Sequence, residues 1–180
     1  MKKFFVLIFV LTFSCEKDNI KLENYNEVFT IEEFNELEML LSDFDFLVTK
    51  STKEDNIEEA YLKFNAQIVF NNGTNYHQEF QNIDSKIEKL KVFNSIWVLM
   101  YQKETKETYL EFKGNSKYLN YLNELSSKNK WYLDYYNILN DIGDVPPSFV
   151  GGLLMNKNKK DFKNDNIRLL YVINYITTFN

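Results

Sequence analysis

Few side chains in this 180-residue chain have the type and setting to do chemistry. Its one histidine, His77, lies in the polar stretch 75–79. A catalytic or metal-binding imidazole works with partners, and one histidine cannot build a multi-histidine metal centre. His77 therefore reads as a surface residue without a role. Carboxylates are plentiful, with 26 Asp and Glu residues. Two of them facing across a cleft are enough to cleave a glycoside. Asp134 among Trp131, Tyr135 and Tyr136, and Asp141 and Asp144 around Gly143, put acids beside aromatic rings. With so many acids such neighbours are common, and capping and solvation are their plainer roles. Trp97, Trp131 and the tyrosines are open to two readings, a sugar- or peptide-binding groove or a core.

Arg168 stands out because lysine supplies 20 of the 21 basic residues. Its planar five-donor fork has no equivalent in lysine at a bidentate site. It also sits within the most apolar helical stretch of the chain, where an unpaired charge is not tolerated. The structural expectation is an ion pair with Asp141, Asp144 or Asp161 that fixes how the last helix docks. The functional alternative is a clamp for a ligand carboxylate or phosphate.

Cys15 is the only cysteine. A mature chain beginning there has no internal disulfide, cysteine-based zinc site or dithiol redox pair. Upstream of it, Lys2 and Lys3 precede a ten-residue apolar run, Phe4 to Phe13, broken only by Thr12. Ser14 and Cys15 end the run, and Glu16-Lys17-Asp18-Asn19 opens polar sequence. A charged start, a short apolar stretch and a small residue at the break describe a secretory signal peptide. The run is too short to span a bilayer, which takes about 20 apolar residues.

The segment Leu11-Thr12-Phe13-Ser14-Cys15 resembles the lipobox of bacterial lipoproteins. It departs from that pattern in having Thr12 three residues before the cysteine, with Leu11 one further back. The resemblance implies a diacylglycerated Cys15 thiol, cleavage after Ser14 and acylation of the new amino group. Ordinary secretion with cleavage at the small residues Thr12 and Ser14 is the alternative. The acidic-polar stretch after Cys15 is similar to signals that route lipoproteins to the outer surface. The implied address is the bacterial cell envelope, lipid-anchored at the outer membrane. The expected organisation is a leader over 1–14, a polar tether over 15–28 and one domain over 29–180.

Without Lys2 and Lys3 the 21 basic residues fall to 19 against 26 acidic ones, a net of −7. That balance opposes binding to a nucleic-acid backbone or to anionic lipid by charge. The excess of Lys, Asn, Ile, Phe and Tyr, with 23 asparagines, is what AT-rich codons produce.

The elements that would position these residues are helices. Thr30 and Glu33 form a capping box, flanked by Phe29 and Phe34 as a hydrophobic staple. Ile31, Phe34, Leu37, Leu41, Phe44 and Val48 follow at steps of three and four. Asp55 or Asn56 starts a second helix with Ile57, Ala60, Tyr61, Phe64 and Ile68 on one face, stopped at Asn72-Gly73. Asp84 or Ser85 starts a third, carrying Ile87, Leu90 and Phe93. The run Ile96 to Tyr101 suits a buried helix followed by an extended segment. Its alternative is a strand paired, through residues 103–106, with Thr108 to Phe112. A helix follows Gly114-Asn115-Ser116. Another spans Lys130 to Ile142, with Trp131, Tyr135, Ile138, Leu139 and Ile142 inward and Gly143 ending it. Pro146-Pro147 suits a helix start. Asn164 or Asp165 caps a last helix that is apolar on nearly every side and belongs mid-domain. The expected fold is an all-α single-domain bundle of six or seven helices, with one short β-hairpin near 96–112 as a variant.

The leading functional expectation is a non-enzymatic envelope lipoprotein whose helical domain binds an envelope protein or a glycan. The alternative is a small carboxylate-dependent hydrolase of envelope glycan. Neither reading calls for a metal or another cofactor.

Overall fold

The computed structural model describes residues 21–71, 86–143 and 159–179. The first elements among the described residues are a 3₁₀ turn, Tyr25–Glu27, and α1, Ile31–Thr52. Thr30 caps α1 as its sequence requires: its Oγ1 accepts from the Glu33 N–H at 3.3 Å, and Glu33 Oε2 accepts from the Thr30 N–H at 2.8 Å. At the other end Lys53 turns left-handed with φ 58°. Helix α2, Ile57–Asn71, starts where Asn56 Oδ1 accepts from the Glu59 N–H, and it packs against α1.

Residues 86–87 are helical, and turns lead from there into the single-turn helix α3, Phe93–Ile96. Two strands follow, β1 (Trp97–Gln102) and β2 (Glu107–Phe112), paired antiparallel from Trp97↔Phe112 to Gln102↔Glu107. The helical reading of Ile96 to Tyr101 is thereby corrected. The two-residue period places Trp97, Leu110 and Phe112 on one face, all buried. A continued helix would have left the extended Thr108–Phe112 segment without a hydrogen-bonded neighbour. The Ile96 carbonyl ends α3 by accepting from Lys113 N–H at 2.8 Å, and Lys106, at φ 61°, closes the four-residue loop.

Helices α4 (Lys117–Ser126) and α5 (Lys130–Ile142) form the next pair, capped by Ser116 and Asn129. Gly143 ends α5 at φ 79°, the left-handed conformation that favours glycine. Within α5, Tyr132, Tyr135 and Leu139 are buried, Trp131 and Ile138 half-buried, while Ile142 is 65% exposed at the helix end. The inward face thus includes Tyr132 and excludes Ile142, because the last turn of α5 projects beyond the core. A second 3₁₀ segment, Lys159–Lys163, leads into α6, Asp165–Phe179. The proposed helix boundaries at Asn72-Gly73, Asp84-Ser85 and Pro146-Pro147 lie outside the described residues. What is described is mostly helical with one antiparallel hairpin.

Helix α6 is the centre of the molecule, and every residue from Asn166 to Thr177 is buried. Four of those twelve are polar, and each reaches a different neighbour. Asn166 Oδ1 accepts from the Tyr121 hydroxyl of α4. Arg168 pairs with Asp45 of α1 at 3.1 Å. Asn174 Oδ1 accepts from the Tyr135 hydroxyl of α5 at 2.6 Å, and Thr177 Oγ1 from the Trp97 indole N–H of β1 at 2.7 Å. The apolar remainder joins an aromatic cluster in which Phe44 meets Phe64 edge-on at 5.9 Å and Tyr175 at 5.2 Å.

The Trp97–Thr177 bond is a test of that arrangement. Thr177→Val keeps the side-chain shape but leaves a buried indole N–H without its acceptor, a loss of about 1–3 kcal/mol. Thr177→Ser keeps the hydroxyl and is expected to retain the bond. Denaturant melts of the three proteins, with the tryptophan emission of Trp97 as the probe, check both.

Candidate functional site

Two buried polar clusters and one exposed apolar surface are the places where the described residues could act. The first cluster is centred on Arg168, whose side chain is 10% exposed. Its Nε lies 3.1 Å from Asp45 Oδ1 and its Nη2 3.2 Å from Asp45 Oδ2, a bidentate fork. Nη2 also donates to Asp165 Oδ1 at 2.8 Å, and Nη1 to the Phe162 carbonyl at 2.6 Å. The Tyr61 hydroxyl donates to Asp45 at 2.7 Å, while the guanidinium carbon stands 6.0 Å from the Tyr61 ring centre. Burial pushes the Asp45 carboxyl up, against the pull of Arg168 and Tyr61. Burial opposes the Arg168 charge too, but Asp45, Tyr61 and Asp165 together raise its pKa, so it stays a cation. All three guanidinium nitrogens are engaged by the protein itself, which argues for a structural lock and against an anion clamp.

This corrects the expected partners. Asp141 is exposed near the end of α5 and Asp144 lies outside the described residues; the carboxylates that meet Arg168 are Asp45 and Asp165 rather than Asp161. Asp165 is three residues before Arg168 on the same helix, a spacing at which side chains meet. Asp45 is on the flank of the inward face of α1, beside Phe44, and only the tertiary packing of α1 on α6 brings it there.

The second cluster joins three elements at Glu33, which is 7% exposed. Its Oε2 accepts from the Thr30 N–H and from Lys117 Nζ of α4 at 2.5 Å; its Oε1 accepts from the Ser95 hydroxyl of α3. Burial acts to raise the Glu33 carboxyl, but these donors outweigh it and hold its pKa at about 2, against an ordinary 4.5. One turn further along, Glu36 Oε2 accepts from the Val92 N–H at 2.9 Å. The acidic first turns of α1 are in this way used to grip the segment 91–96.

The other candidates for chemistry separate. Asp134 pairs with Lys130 on the surface of α5 at 2.6 Å. Trp131 stacks on Tyr135 at 5.8 Å and 7°, and Tyr135 and Trp97 are buried, so these aromatics are core rather than groove. His77 and Cys15 lie outside the described residues. Among the described residues no three His, Cys, Asp or Glu side chains converge as a metal site would require.

The exposed surface is the outer half of the hairpin. Val98, Leu99, Met100 and Tyr101 of β1 and Tyr109 of β2 are all exposed, Tyr101 at 59%. Leu99 and Tyr101 continue the face of Trp97, whereas Val98, Met100 and Tyr109 occupy the opposite one. Both faces of a two-stranded ribbon are therefore apolar where it meets solvent. Isolated exposed apolar residues are ordinary, whereas five lie together on this one ribbon. No sequence signal separated this set from buried residues, because Trp97 and its exposed neighbours read as one apolar run.

Two outcomes test the clusters. Arg168→Ala is expected to destabilise the fold by about 3–5 kcal/mol by leaving the half-buried Asp45 carboxylate without its cation, and Arg168→Lys to recover part of it; thermal melts read both. For Glu33 the folded pKa is depressed, so its contribution is full above pH 4.5 and is lost as pH falls towards 2. The shift amounts to about 3 kcal/mol. Glu33→Gln should flatten the acid limb of a stability-versus-pH curve in that window, and an unchanged limb would refute the assignment.

The chain matches no protein-family model, and neither a curated protein nor a solved structure matches it.

Proposed function

We propose that this chain is a lipid-anchored protein of the bacterial cell envelope whose helical domain binds another protein through its β-hairpin. The observation that carries the binding half is the apolar outer hairpin, with Leu99 46% and Tyr101 59% exposed. Aliphatic Val98, Leu99 and Met100 beside two tyrosines suit the apolar centre of a protein interface, with Lys103, Glu104, Lys106 and Glu107 as its polar rim. A glycan site would instead favour exposed rings with convergent hydrogen-bonding groups. The base of the ribbon is held from two sides: the Trp97 indole is tied to Thr177 of α6, and α3, just before it, is tied to Glu33.

The anchoring half rests on the leader and on Cys15. One acyl chain gives only reversible attachment, whereas the two or three of a lipoprotein give a stable one. No described helix is long and apolar enough to cross a membrane.

Each half has its own experiment. A clickable fatty acid fed to cells should label the protein, and Cys15→Ser should abolish the label; equal labelling of the variant would reject lipidation. A photo-crosslinking amino acid in place of Leu99 should give a discrete protein adduct in cells, and one in place of the exposed Asn137 should not. Tyr101→Asp should remove the adduct while leaving the melting temperature unchanged. Loss of stability without loss of the adduct would show that the hairpin is structural instead.

A further inference from the structure

The two edges of the ribbon differ. Leu99 and Leu110 are paired across it and share a face, yet Leu110 is 3% exposed and Leu99 46%. The core thus covers the β2 side, where α6 packs, and β1 is the edge that faces water. Strand β1 reads Trp97-Val98-Leu99-Met100-Tyr101-Gln102, without a charge, a proline or a bulge to discourage a further strand. Among the described residues no strand pairs with its outer edge. The register identifies the open backbone groups. The Ile96 carbonyl accepts from Lys113 N–H at 2.8 Å, one pair before Trp97↔Phe112. Bonded and non-bonded pairs alternate along an antiparallel ladder, so Val98, Met100 and Gln102 bond to β2. Trp97, Leu99 and Tyr101 turn their N–H and C=O groups outward. The Trp97 N–H is already used, donated to the Phe93 carbonyl at the end of α3. Leu99 and Tyr101 remain.

We infer that the occupant of this edge is β1 of a second copy, antiparallel about a two-fold axis at Met100; this rests on the reading of the hairpin as a binding surface and names its partner. The axis sets Leu99 of each copy opposite Tyr101 of the other. Each such pair exchanges two hydrogen bonds, so the open N–H and C=O groups of both residues are all met. Met100 faces its own copy, and Val98 faces Gln102. A two-fold axis sets a strand against its own residues, and like charges opposite each other destabilise a ladder. Strand β1 brings no charge to that contact, whereas β2 carries Glu107 and Glu111. A peptide that adds to a sheet edge draws its specificity from pockets beside that edge. Both faces of β1 are open instead, with Leu99 and Tyr101 exposed on one and Val98 and Met100 on the other. The added strand must therefore bring apolar side chains to both faces, as a second β1 does. The contact is at the low end of specific interfaces, about 1,200 Å² or less, so the dimer is a reversible one.

The full-length protein is expressed in bacteria with a photo-crosslinking amino acid in place of Leu99. Its adduct should have twice the mass of the chain and yield peptides of this chain alone. An adduct with a different protein would overturn the inference and leave the hairpin a binding surface, whereas no adduct at all would reject that surface as well. Two differently tagged copies are then expressed together, one carrying the crosslinker. Met100→Lys in both should abolish the adduct by setting two cations at the axis, and Met100→Lys in one with Met100→Glu in the other should restore it. Tyr101→Pro removes an outward N–H and none of the β1–β2 bonds. It should lose the adduct at an unchanged melting temperature, while Met100→Pro, which breaks the ladder, should lower that temperature. A pair of Met100→Lys copies that still crosslinks, or a charge-swapped pair that does not, would overturn the two-fold pairing.

Discussion

A helix buried on every side is stable only if each polar group it carries is met by a neighbour, and that constraint organises this molecule. Residues 166–177 of α6 place Asn166, Arg168, Asn174 and Thr177 in the interior, and the partners come from α4, α1, α5 and β1 in turn. A buried group left unpaired costs about 1–3 kcal/mol, and more when it is charged. One residue of slip would rotate the helix by about 100° and carry all four away from their partners together. Hydrophobic burial alone would tolerate many such rotations of a helix that is apolar all round. The four polar contacts select one, and with it the positions of the surrounding elements.

Local signals in the sequence were enough for most helices. Thr30 and Glu33, Asn56, Ser116, Asn164 and Gly143 act at the ends where their types and spacing put them, because capping is a matter of neighbouring residues. The central place of α6 was also legible, from its lack of a polar face. Partner choice was not. Asp45 and Arg168 are 123 residues apart, and nothing local in α1 marks Asp45 as different from the exposed Asp43. Asp141 and Asp144 read in sequence as part of a turn between neighbouring helices, and such local reasoning says little about a bundle whose first and last helices are in contact.

The hairpin shows a second limit. A run such as Trp97 to Tyr101 has no period to read, since both alternating positions are apolar. In a fully buried strand that would be expected; here only Trp97 is buried and the other four are exposed. The pattern reflects two different demands on consecutive residues. Trp97 anchors the ribbon on α6, and its neighbours keep apolar side chains in water, which does nothing for the stability of the isolated chain. The docked segment from Leu22 to Val28 misled in the opposite direction. Its apolar residues are sparse enough to read as a tether, yet three of them reach the core or pack against it.

The compositional bias of the chain has a part in its packing. An excess of asparagine and tyrosine, taken alone, reflects codon usage. In the fold these residues meet in three pairs at α6 and its cap: Tyr121 with Asn166, Tyr135 with Asn174, and Tyr132 with Asn164. Each pair joins a hydroxyl that a ring carries into the core to an amide that can both donate and accept. Asn174 uses both capacities, accepting from Tyr135 and donating to the Leu170 carbonyl at 2.6 Å. A phenylalanine at any of the three tyrosine positions would fill nearly the same volume and remove one of the bonds of the facing amide. Helices α4 and α5 are thus docked on α6 by directional bonds as well as by apolar area. A composition that looks uninformative along the chain becomes specific once it is folded, because the information lies in which residues are opposed.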